Sequence, residues 1–170
     1  MIIRETRADE REQVLALYPL AFPDQDLQSV TGALLDEATG VLSLARFEGD
    51  DLTAHVLFSD CETVAGAGGG ALLGPLGVVP SHQRCGAGTA LVREGLERLE
   101  KRGVRQVFVL GDPAYYGRFG FRAERDVKAP CSIPDKWADA WQSLTLGADA
   151  RLPDGSLQVL RPWRDAALWR

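Results

Sequence analysis

Residues 76–89 read LGVVPSHQRCGAGT, a stretch in which an apolar run gives way to a glycine-bearing turn. The apolar run Ala71–Val79 ends at Pro80 and predicts a strand that is buried on both faces of a sheet. The residues that follow, Gly86–Arg102, carry an apolar stripe and a charged face at helical spacing, which predicts an amphipathic helix. The stretch therefore predicts a strand, a short turn and a helix in direct succession.

The turn before this helix predicts a binding site for an anion. The first N–H groups of a helix lack acceptors within it, and the helix dipole is positive at that end. Glycine at positions 86 and 88 lets a ligand approach the backbone closely, and successive amides there can form a nest for an anion. A phosphate group is the anion that such helix starts commonly bind.

Two common phosphate-binding signatures do not fit this turn. A P-loop places a lysine between its last glycine and a serine or threonine, whereas Thr89 follows Gly88 directly in this chain. A dinucleotide-binding fingerprint needs a third glycine, and Ala90 and Leu91 follow Gly88 without one. ATP and NAD are therefore poor ligands for this turn.

The order of strands around the turn predicts a mixed sheet. The helix connects Ala71–Val79 to a second apolar run, Val104–Leu110, and a helical crossover makes two such strands parallel. Upstream, Val41–Glu48 and Leu52–Cys61 flank Gly49-Asp50-Asp51, which predicts an antiparallel hairpin. We therefore predict an α/β (α+β) fold with a central mixed sheet of about six or seven strands flanked by helices.

Weaker patterns predict the rest of the chain. The other predicted elements are a strand at Met1–Glu5, a helix capped by Thr6 and Asp9 that ends near Tyr18, a break at Pro19 and Pro23, a helix at Asp26–Glu37, a short helix that begins at Pro113–Tyr116, and strands after Phe119–Phe121, at Trp141–Leu146 and at Ser156–Leu160. The glycine-rich residues 65–70 predict a flexible connection between strands. We expect one domain over residues 1–147, with residues 148–170 forming a C-terminal strand and tail packed on it.

The composition narrows the classes of function. The 170 residues carry a net charge of −5, which disfavours nucleic acid as a partner. The sequence lacks a run of about 18 apolar residues and a signal peptide, so we expect no membrane association and a cytoplasmic location. Three widely spaced cysteines and two histidines form no ligand pattern, so we expect no metal site and mostly buried, reduced thiols.

The turn and a later aromatic segment resemble the motifs of one family. Residues 83–88, QRCGAG, match the Gln/Arg-x-x-Gly-x-Gly/Ala motif of the GNAT superfamily of acyl-CoA N-acyltransferases, and residues 76–80, LGVVP, match its lead-in from strand to loop. Residues 115–121, YYGRFGF, resemble the family's aromatic-Tyr-x-x-x-Gly-Phe element. The longer segment 110–121 is similar to one bacterial branch whose members mostly have no assigned substrate.

The resemblance implies an N-acetyltransferase that uses acetyl-CoA as cosubstrate and acetylates an amine of a small molecule or peptide by direct attack. It also implies roles for the matching positions. The pantetheine arm would contact Leu76, Gly77 and Val78, the pyrophosphate would contact Gln83, Arg84, Cys85, Gly86, Ala87, Gly88 and Thr89, and the departing thiolate would take a proton from Tyr116. A phenol with a pKa of about 10 is protonated at neutral pH and suits that role. Tyr115 is the adjacent alternative.

The sequence leaves the general base open. Some family members place a glutamate on the central strand, but Ala71–Val79 contains no carboxylate. The possible substitutes are Asp60, Glu62, His55 and Asp112, and we interpret each of these four primarily as a surface polar residue. His82 is a further candidate, which we expect to face solvent. A water relay and a lost activity are the other readings.

Two further functions compete with catalysis. A non-catalytic acyl-CoA-binding sensor is favoured by the missing strand carboxylate and disfavoured by Tyr116. An interaction module is the second, because aromatic residues anchor interfaces. The C-terminal region concentrates four tryptophans, which either form an interface such as that of a homodimer or cover the sheet: Trp137, Trp141, Trp163 and Trp169.

Overall fold

The computed structural model describes residues 1–64, 68–147 and 151–170. The chain divides into two compact units. The first comprises Met1–Phe58 and Gly74–Arg98, and the second comprises Ser59–Leu73 and Leu99–Arg170. The glycine-rich connection predicted at residues 65–70 lies partly outside the described residues, and its last glycine, Gly70, already belongs to a strand.

The strands of the described residues form two sheets. They are β1 (Ile2–Glu5), β2 (Val41–Glu48), β3 (Asp51–Glu62), β4 (Gly70–Val78), β5 (Gln106–Leu110), β6 (Arg122–Ala123), β7 (Val127–Lys128), β8 (Trp141–Thr145), β9 (Gly155–Ser156) and β10 (Gln158–Val159). The larger sheet has eight strands in the order β1-β2-β3-β4-β5-β8-β6, with β10 paired to β3, and the smaller sheet joins β7 and β9. Strands β4 and β5 run parallel, whereas β5 and β8 run antiparallel. The predicted mixed sheet is confirmed, with eight strands in place of about six or seven.

The described residues also form four α-helices: α1 (Arg11–Ala21), α2 (Gln28–Leu35), α3 (Ala87–Lys101) and α4 (Pro113–Tyr116). In the first unit, α1 packs on the β2–β3 hairpin through a buried cluster of Val14, Leu17, Tyr18, Ala45, Phe47 and Leu52. Burial of each large apolar side chain in such a cluster contributes about 1.5–3 kcal/mol. The hairpin turns at Gly49, where φ is +60° and glycine avoids the strain of a side chain.

Helix α1 continues past Pro19, so the break predicted there is wrong. A proline at position 19 cannot donate a hydrogen bond to the carbonyl of Leu15, four residues earlier. The side chain of Gln28 replaces that donor, because its Nε2 donates to Leu15 O at 3.0 Å. The helix therefore ends only at Ala21.

The capping box predicted at Thr6 is displaced by one residue. The Arg7 N–H donates to Glu10 Oε2 at 2.8 Å, which caps a short 3-10 helix ahead of α1. The Thr6 hydroxyl donates instead to Ser43 Oγ on β2, at 2.7 Å. Thr6 therefore ties the start of the chain to the sheet rather than to the helix.

The helix predicted at Asp26–Glu37 is shorter at both ends. Asp26 lies before α2 and accepts hydrogen bonds from the N–H and the hydroxyl of Ser29, at 3.0 and 2.5 Å. These bonds hold Asp26 in the turn that precedes the helix, and Leu27 is the N-cap residue. Helix α2 therefore spans Gln28–Leu35.

Two later strands also differ from prediction. The strand predicted at Val104–Leu110 begins at Gln106, because the Val104 N–H donates to Leu99 O at 3.0 Å and closes the end of α3. The strand predicted at Ser156–Leu160 is two strands of two residues each, β9 and β10. They belong to different sheets, since β9 pairs with β7 and β10 pairs with β3.

Helix α3 packs on β3 through a contact that leaves no room for a side chain. A Cβ at Gly95 would lie 2.2 Å from Phe58 Cε2 and 2.3 Å from Phe58 Cζ. We expect Gly95→Ala to lower the free energy of unfolding by about 1–3 kcal/mol in a urea titration, the usual cost of overpacking a core. Gly117→Ala is the matched control, because a Cβ there would meet nothing within 4 Å. Equal stability of the two variants would contradict this packing.

In the second unit, the C-terminal tryptophans are core residues. Phe108 on β5 stacks with Trp141 at a centroid distance of 5.7 Å, and Trp141 contacts Trp169 at 5.8 Å. Trp169 Nε1 donates to Trp163 O at 2.8 Å. Trp141, Trp163 and Trp169 are buried, so they cover the sheet, while Trp137 is partly exposed.

The second unit also contains a buried carboxylate, Glu124, whose side chain is 1% exposed. Its Oε1 accepts from Ser143 Oγ at 2.6 Å and from Gln106 Nε2 at 3.1 Å. Its Oε2 accepts from the Val127 N–H at 2.9 Å, and Arg151 donates to the same oxygen at 3.1 Å. Glu124 therefore links β5, β7, β8 and the C-terminal segment.

Candidate functional site

The turn predicted to bind an anion lies in the first unit, between β4 and α3. A 3-10 helix at Pro80–His82 follows β4, and a turn over residues 83–86 leads to Ala87, the first residue of α3. Arg84 has a φ of +60° and Gly86 a φ of +85°, so both residues are left-handed. At Arg84 this conformation costs about 1–2 kcal/mol, because a side chain disfavours it. The loop therefore holds a backbone geometry that its neighbours must stabilise.

Side chains within the loop supply that stabilisation. Gln83 Nε2 donates to Val78 O at 3.0 Å, which ties the turn to the end of β4. Cys85 Sγ donates to His82 O at 2.6 Å. His82 is half-buried rather than solvent-facing, and its Nε2 lies 3.1 Å from Glu48 Oε2 on β2. The motif does not reveal these anchoring roles, because each depends on where the loop folds back.

The first turn of α3 offers backbone N–H groups to a ligand. The Ala90 N–H donates to Gly86 O at 2.9 Å, which makes Gly86 the first acceptor of the helix. The N–H groups of Ala87 and Gly88 precede that bond and have no acceptor within the helix. A Cβ at Gly86 would meet nothing within 4 Å, so the space beside it is open. This geometry suits an anion such as a phosphate.

Leu76, Gly77 and Val78 form the last residues of β4. Leu76 and Val78 are half-buried, whereas Gly77 is buried. A Cβ at Gly77 would lie 2.5 Å from Leu17 Cδ2 and 3.2 Å from Tyr18 Cε1. Glycine at this position therefore lets α1 lie directly against the end of β4, a packing reason that the sequence alone does not show.

His55 is fully buried, so its expected position on the surface is wrong. Its Nδ1 lies 2.7 Å from the Tyr18 hydroxyl and its Nε2 lies 2.8 Å from Ser43 Oγ. The Tyr18 hydroxyl donates to Pro75 O on β4 at 3.2 Å. Burial lowers the pKa of His55 to about 3, so the ring is neutral at physiological pH. His55 therefore links α1, β2, β3 and β4 and does not act as a base on a substrate.

The three carboxylates considered as general bases, Asp60, Glu62 and Asp112, differ in their exposure and in their hydrogen bonds. Asp112 Oδ1 accepts from the Ala114 N–H at 2.9 Å, so Asp112 caps α4. Asp60 is exposed at the end of β3, and Glu62 is half-buried. Asp112 is a helix cap and is also exposed, so the expected surface position is confirmed for both Asp60 and Asp112.

Tyr116 lies in the second unit, at the end of α4, and is 9% exposed. Its ring is enclosed by Tyr115, Phe119 and Phe121, with centroids at 5.0, 6.3 and 5.7 Å. Within the described ranges, its hydroxyl has no hydrogen-bond partner. Burial raises the pKa of Tyr116, so the phenol is protonated at neutral pH and has a proton to donate. Tyr115 is more exposed, and the Arg118 guanidinium lies 4.4 Å from its ring centroid.

The three cysteines are free thiols in different surroundings. Cys61 is buried, Cys131 is half-buried and Cys85 is exposed, so the expectation of mostly buried thiols is wrong.

Among the described residues, no group of three or more histidine, cysteine, aspartate or glutamate side chains is placed to hold a metal ion. In the same part of the chain, every helix is too short or too polar to cross a membrane.

Comparison with known proteins identifies relatives across most of the chain. The profile of the acetyltransferase (GNAT) family matches residues 5–121, which include the loop at residues 83–89 and Tyr116. The uncharacterized N-acetyltransferase YjhQ of Escherichia coli strain K12 is 36% identical in an alignment of 147 positions that covers 82% of this chain and 80% of that protein.

Solved structures share the same architecture. A GNAT family acetyltransferase from Brucella melitensis, solved in complex with acetyl-CoA, superposes with a TM-score of 0.78 at 29% identity and covers 95% of this chain and 96% of its own. The GNAT family N-acetyltransferase YhbS from Escherichia coli, solved in complex with CoA, has a TM-score of 0.83 at 26% identity, over 95% of this chain and 90% of its own.

Proposed function

The chain belongs to the acetyltransferase (GNAT) family, and on that basis we propose that it transfers the acetyl group of acetyl-CoA to an amine of a small molecule or peptide. One observation carries the proposal, namely the left-handed turn at residues 83–86 that leads into the open start of α3. This backbone suits a pyrophosphate. The two similar structures that hold acetyl-CoA and CoA support the same ligand class.

We assign the parts of the cofactor to two segments of the first unit. The amides of residues 84–89 would donate to the pyrophosphate oxygens, with Gln83 holding the turn against Val78. Leu76 and Val78 are half-buried residues, and their backbone groups would contact the pantetheine arm. The protein would then orient the thioester, while the cofactor supplies the activated acetyl group.

The proposed chemistry is direct attack without an acyl-enzyme. The neutral amine attacks the thioester carbon, the C–N bond forms, and the C–S bond breaks. Tyr116 gives its phenolic proton to the departing thiolate, and the amine loses a proton to water. Water is the proposed acceptor because β4 carries no carboxylate, and because His55 is buried and its lowered pKa makes it a weak base. The pH dependence of kcat/KM should then follow the pKa of the acceptor amine, and one profile shared by amines of different pKa would contradict this step.

The role of Tyr116 predicts a specific kinetic change. Tyr116→Phe should lower kcat by about 100-fold, since a positioned proton donor typically contributes that much or more, while acetyl-CoA binding stays as in the parent. Release of the CoA thiol measures kcat, and calorimetry measures binding. Tyr115→Phe is the matched control and should retain the parent's rate. A Tyr116→Phe variant with the parent's kcat would contradict the assignment.

An amine screen separates the enzyme from the competing sensor. Four classes of acceptor test the proposal: small metabolite amines, amine-bearing antibiotics, peptide N-termini and lysine side chains. Acetylated product from any class supports the transferase. Tight acetyl-CoA binding with no product in all four classes supports the non-catalytic sensor.

The cytoplasmic location, the homodimer and the division at residue 147 stay predictions, and sedimentation tests the homodimer.

A further inference from the structure

The ring of Tyr116 lies directly on the backbone of Gly111, within the second unit. A Cβ at Gly111 would be 2.4 Å from Tyr116 Cε2 and 2.9 Å from Tyr116 Cδ2. Both distances are below those that real Cβ atoms show, so no other residue fits at position 111 while the ring stays in place. The conformation at Gly111 is not left-handed, and the need for glycine comes from this contact alone.

Hydrogen bonds fix the Gly111 backbone from the other side. Its N–H donates to Ala140 O at 2.9 Å. Its carbonyl accepts from Gln142 Nε2 at 3.0 Å, and the same amide group also donates to Ala140 O at 3.2 Å. Gln142 is 1% exposed on β8, a strand that is paired on both sides, with β5 and with β6. The surface under the Tyr116 ring is therefore rigid and cannot retreat from an added side chain.

Packing is what orients the Tyr116 hydroxyl. The hydroxyl has no hydrogen-bond partner among the described residues, so no polar contact holds it in one direction. Gly111 lies against the Cδ2–Cε2 side of the ring, and Phe121 packs at a steep angle to it with the two centroids 5.7 Å apart. A proton donor must be held within a fraction of an ångström of its productive position.

We infer that Gly111 is a positioning residue for Tyr116, with Gln142 holding Gly111 in place. This rests on the proposed function, because it concerns the hydroxyl assigned there as proton donor. A methyl group at position 111 displaces the ring and moves the hydroxyl, while the loop that binds acetyl-CoA belongs to the other unit.

The test is a double-mutant cycle in the full chain. Gly111→Ala should lower kcat by about 10- to 100-fold and leave the KM for acetyl-CoA unchanged. In a Tyr116→Phe background, Gly111→Ala should cause no further loss of kcat, because the hydroxyl that the added methyl group displaces is absent from that background. An equal loss in both backgrounds overturns the inference. Gly117→Ala, where a Cβ meets nothing within 4 Å, is the matched control and should keep the parent's kcat.

A second measurement reports on the ring itself and does not depend on activity. With 3-fluorotyrosine incorporated at position 116, the fluorine NMR signal should shift in Gly111→Ala and not in Gly117→Ala. An unchanged signal overturns the inference. A shifted signal combined with the parent's kcat in Tyr116→Phe supports Gly111 as the residue that positions the ring and overturns the proton-donor role, so the two failures are distinguishable.

Discussion

Replacement of Gly86 by glutamate is expected to weaken acetyl-CoA binding by about 100-fold or more. The added side chain has room, because a Cβ at Gly86 meets nothing within 4 Å of the protein. Its carboxylate would occupy the space proposed for the pyrophosphate, compete for the same amides and repel the phosphate charge. Gly88→Glu should act in the same direction. Calorimetric titration with acetyl-CoA measures both variants against the parent.

Gly103→Glu is a closely matched control for Gly86→Glu. Gly103 has a φ of +84° against +85° at Gly86, and a Cβ at either position meets nothing within 4 Å. Both variants thus introduce the same charge and the same backbone strain, but Gly103 follows the opposite end of α3. Gly103→Glu should bind acetyl-CoA as the parent does. Equal loss in both variants, or parental affinity in Gly86→Glu, would show that the loop does not hold the cofactor.

Removal of Glu124 is expected to cause the largest loss of stability, about 3–5 kcal/mol of unfolding free energy for Glu124→Ala. The variant leaves buried donors without an acceptor, including Ser143 Oγ and the Val127 N–H. Such a loss is a large part of the 5–15 kcal/mol that typically separates folded from unfolded chains. Urea titration measures it. Glu94→Gln is the control, because Glu94 forms a partly exposed pair with Arg98 and should cost about 0.5 kcal/mol or less.

The contribution of Glu124 should also depend on pH. Burial acts to raise the pKa of Glu124, but hydrogen bonds from Ser143 and from two backbone N–H groups, together with the charge of Arg151, outweigh it and lower the pKa. A carboxyl group whose pKa is lower in the folded state stabilises the protein at pH values above its unfolded-state pKa, which is about 4.3. That stabilisation is lost as the pH falls through the folded-state pKa. The difference in unfolding free energy between the parent and Glu124→Gln should therefore shrink below about pH 4. A difference that grows on acidification would contradict this account.

The backbone of the candidate site follows from the sequence because it is built from local patterns. The helix predicted at Gly86–Arg102 is observed at Ala87–Lys101, and a short helix begins at Pro113 as predicted. Glycine positions and helical periodicity determine the structure of only a few neighbouring residues, so the elements that they form can be predicted from the sequence. The parallel pairing of β4 and β5 follows in turn from the helix between them.

The side-chain partners do not follow from the sequence, because they join residues that are far apart in the chain. His55 contacts Tyr18 across 37 positions, and Gln106 accepts from the Leu152 N–H across 46. The continuation of α1 past Pro19 likewise depends on Gln28, which belongs to the next helix. No local pattern marks such pairs, so only the structure shows that His55 is buried.

Hydrogen exchange of the backbone amides, with and without saturating acetyl-CoA, tests the central assignment most directly. If the turn and the first turn of α3 hold the pyrophosphate, the amides of residues 84–89 should exchange more slowly in the presence of acetyl-CoA, while those of β1 stay unchanged. Acetyl-CoA that binds without slowing exchange at residues 84–89, or that causes no change anywhere in the chain, would contradict the proposed cofactor site.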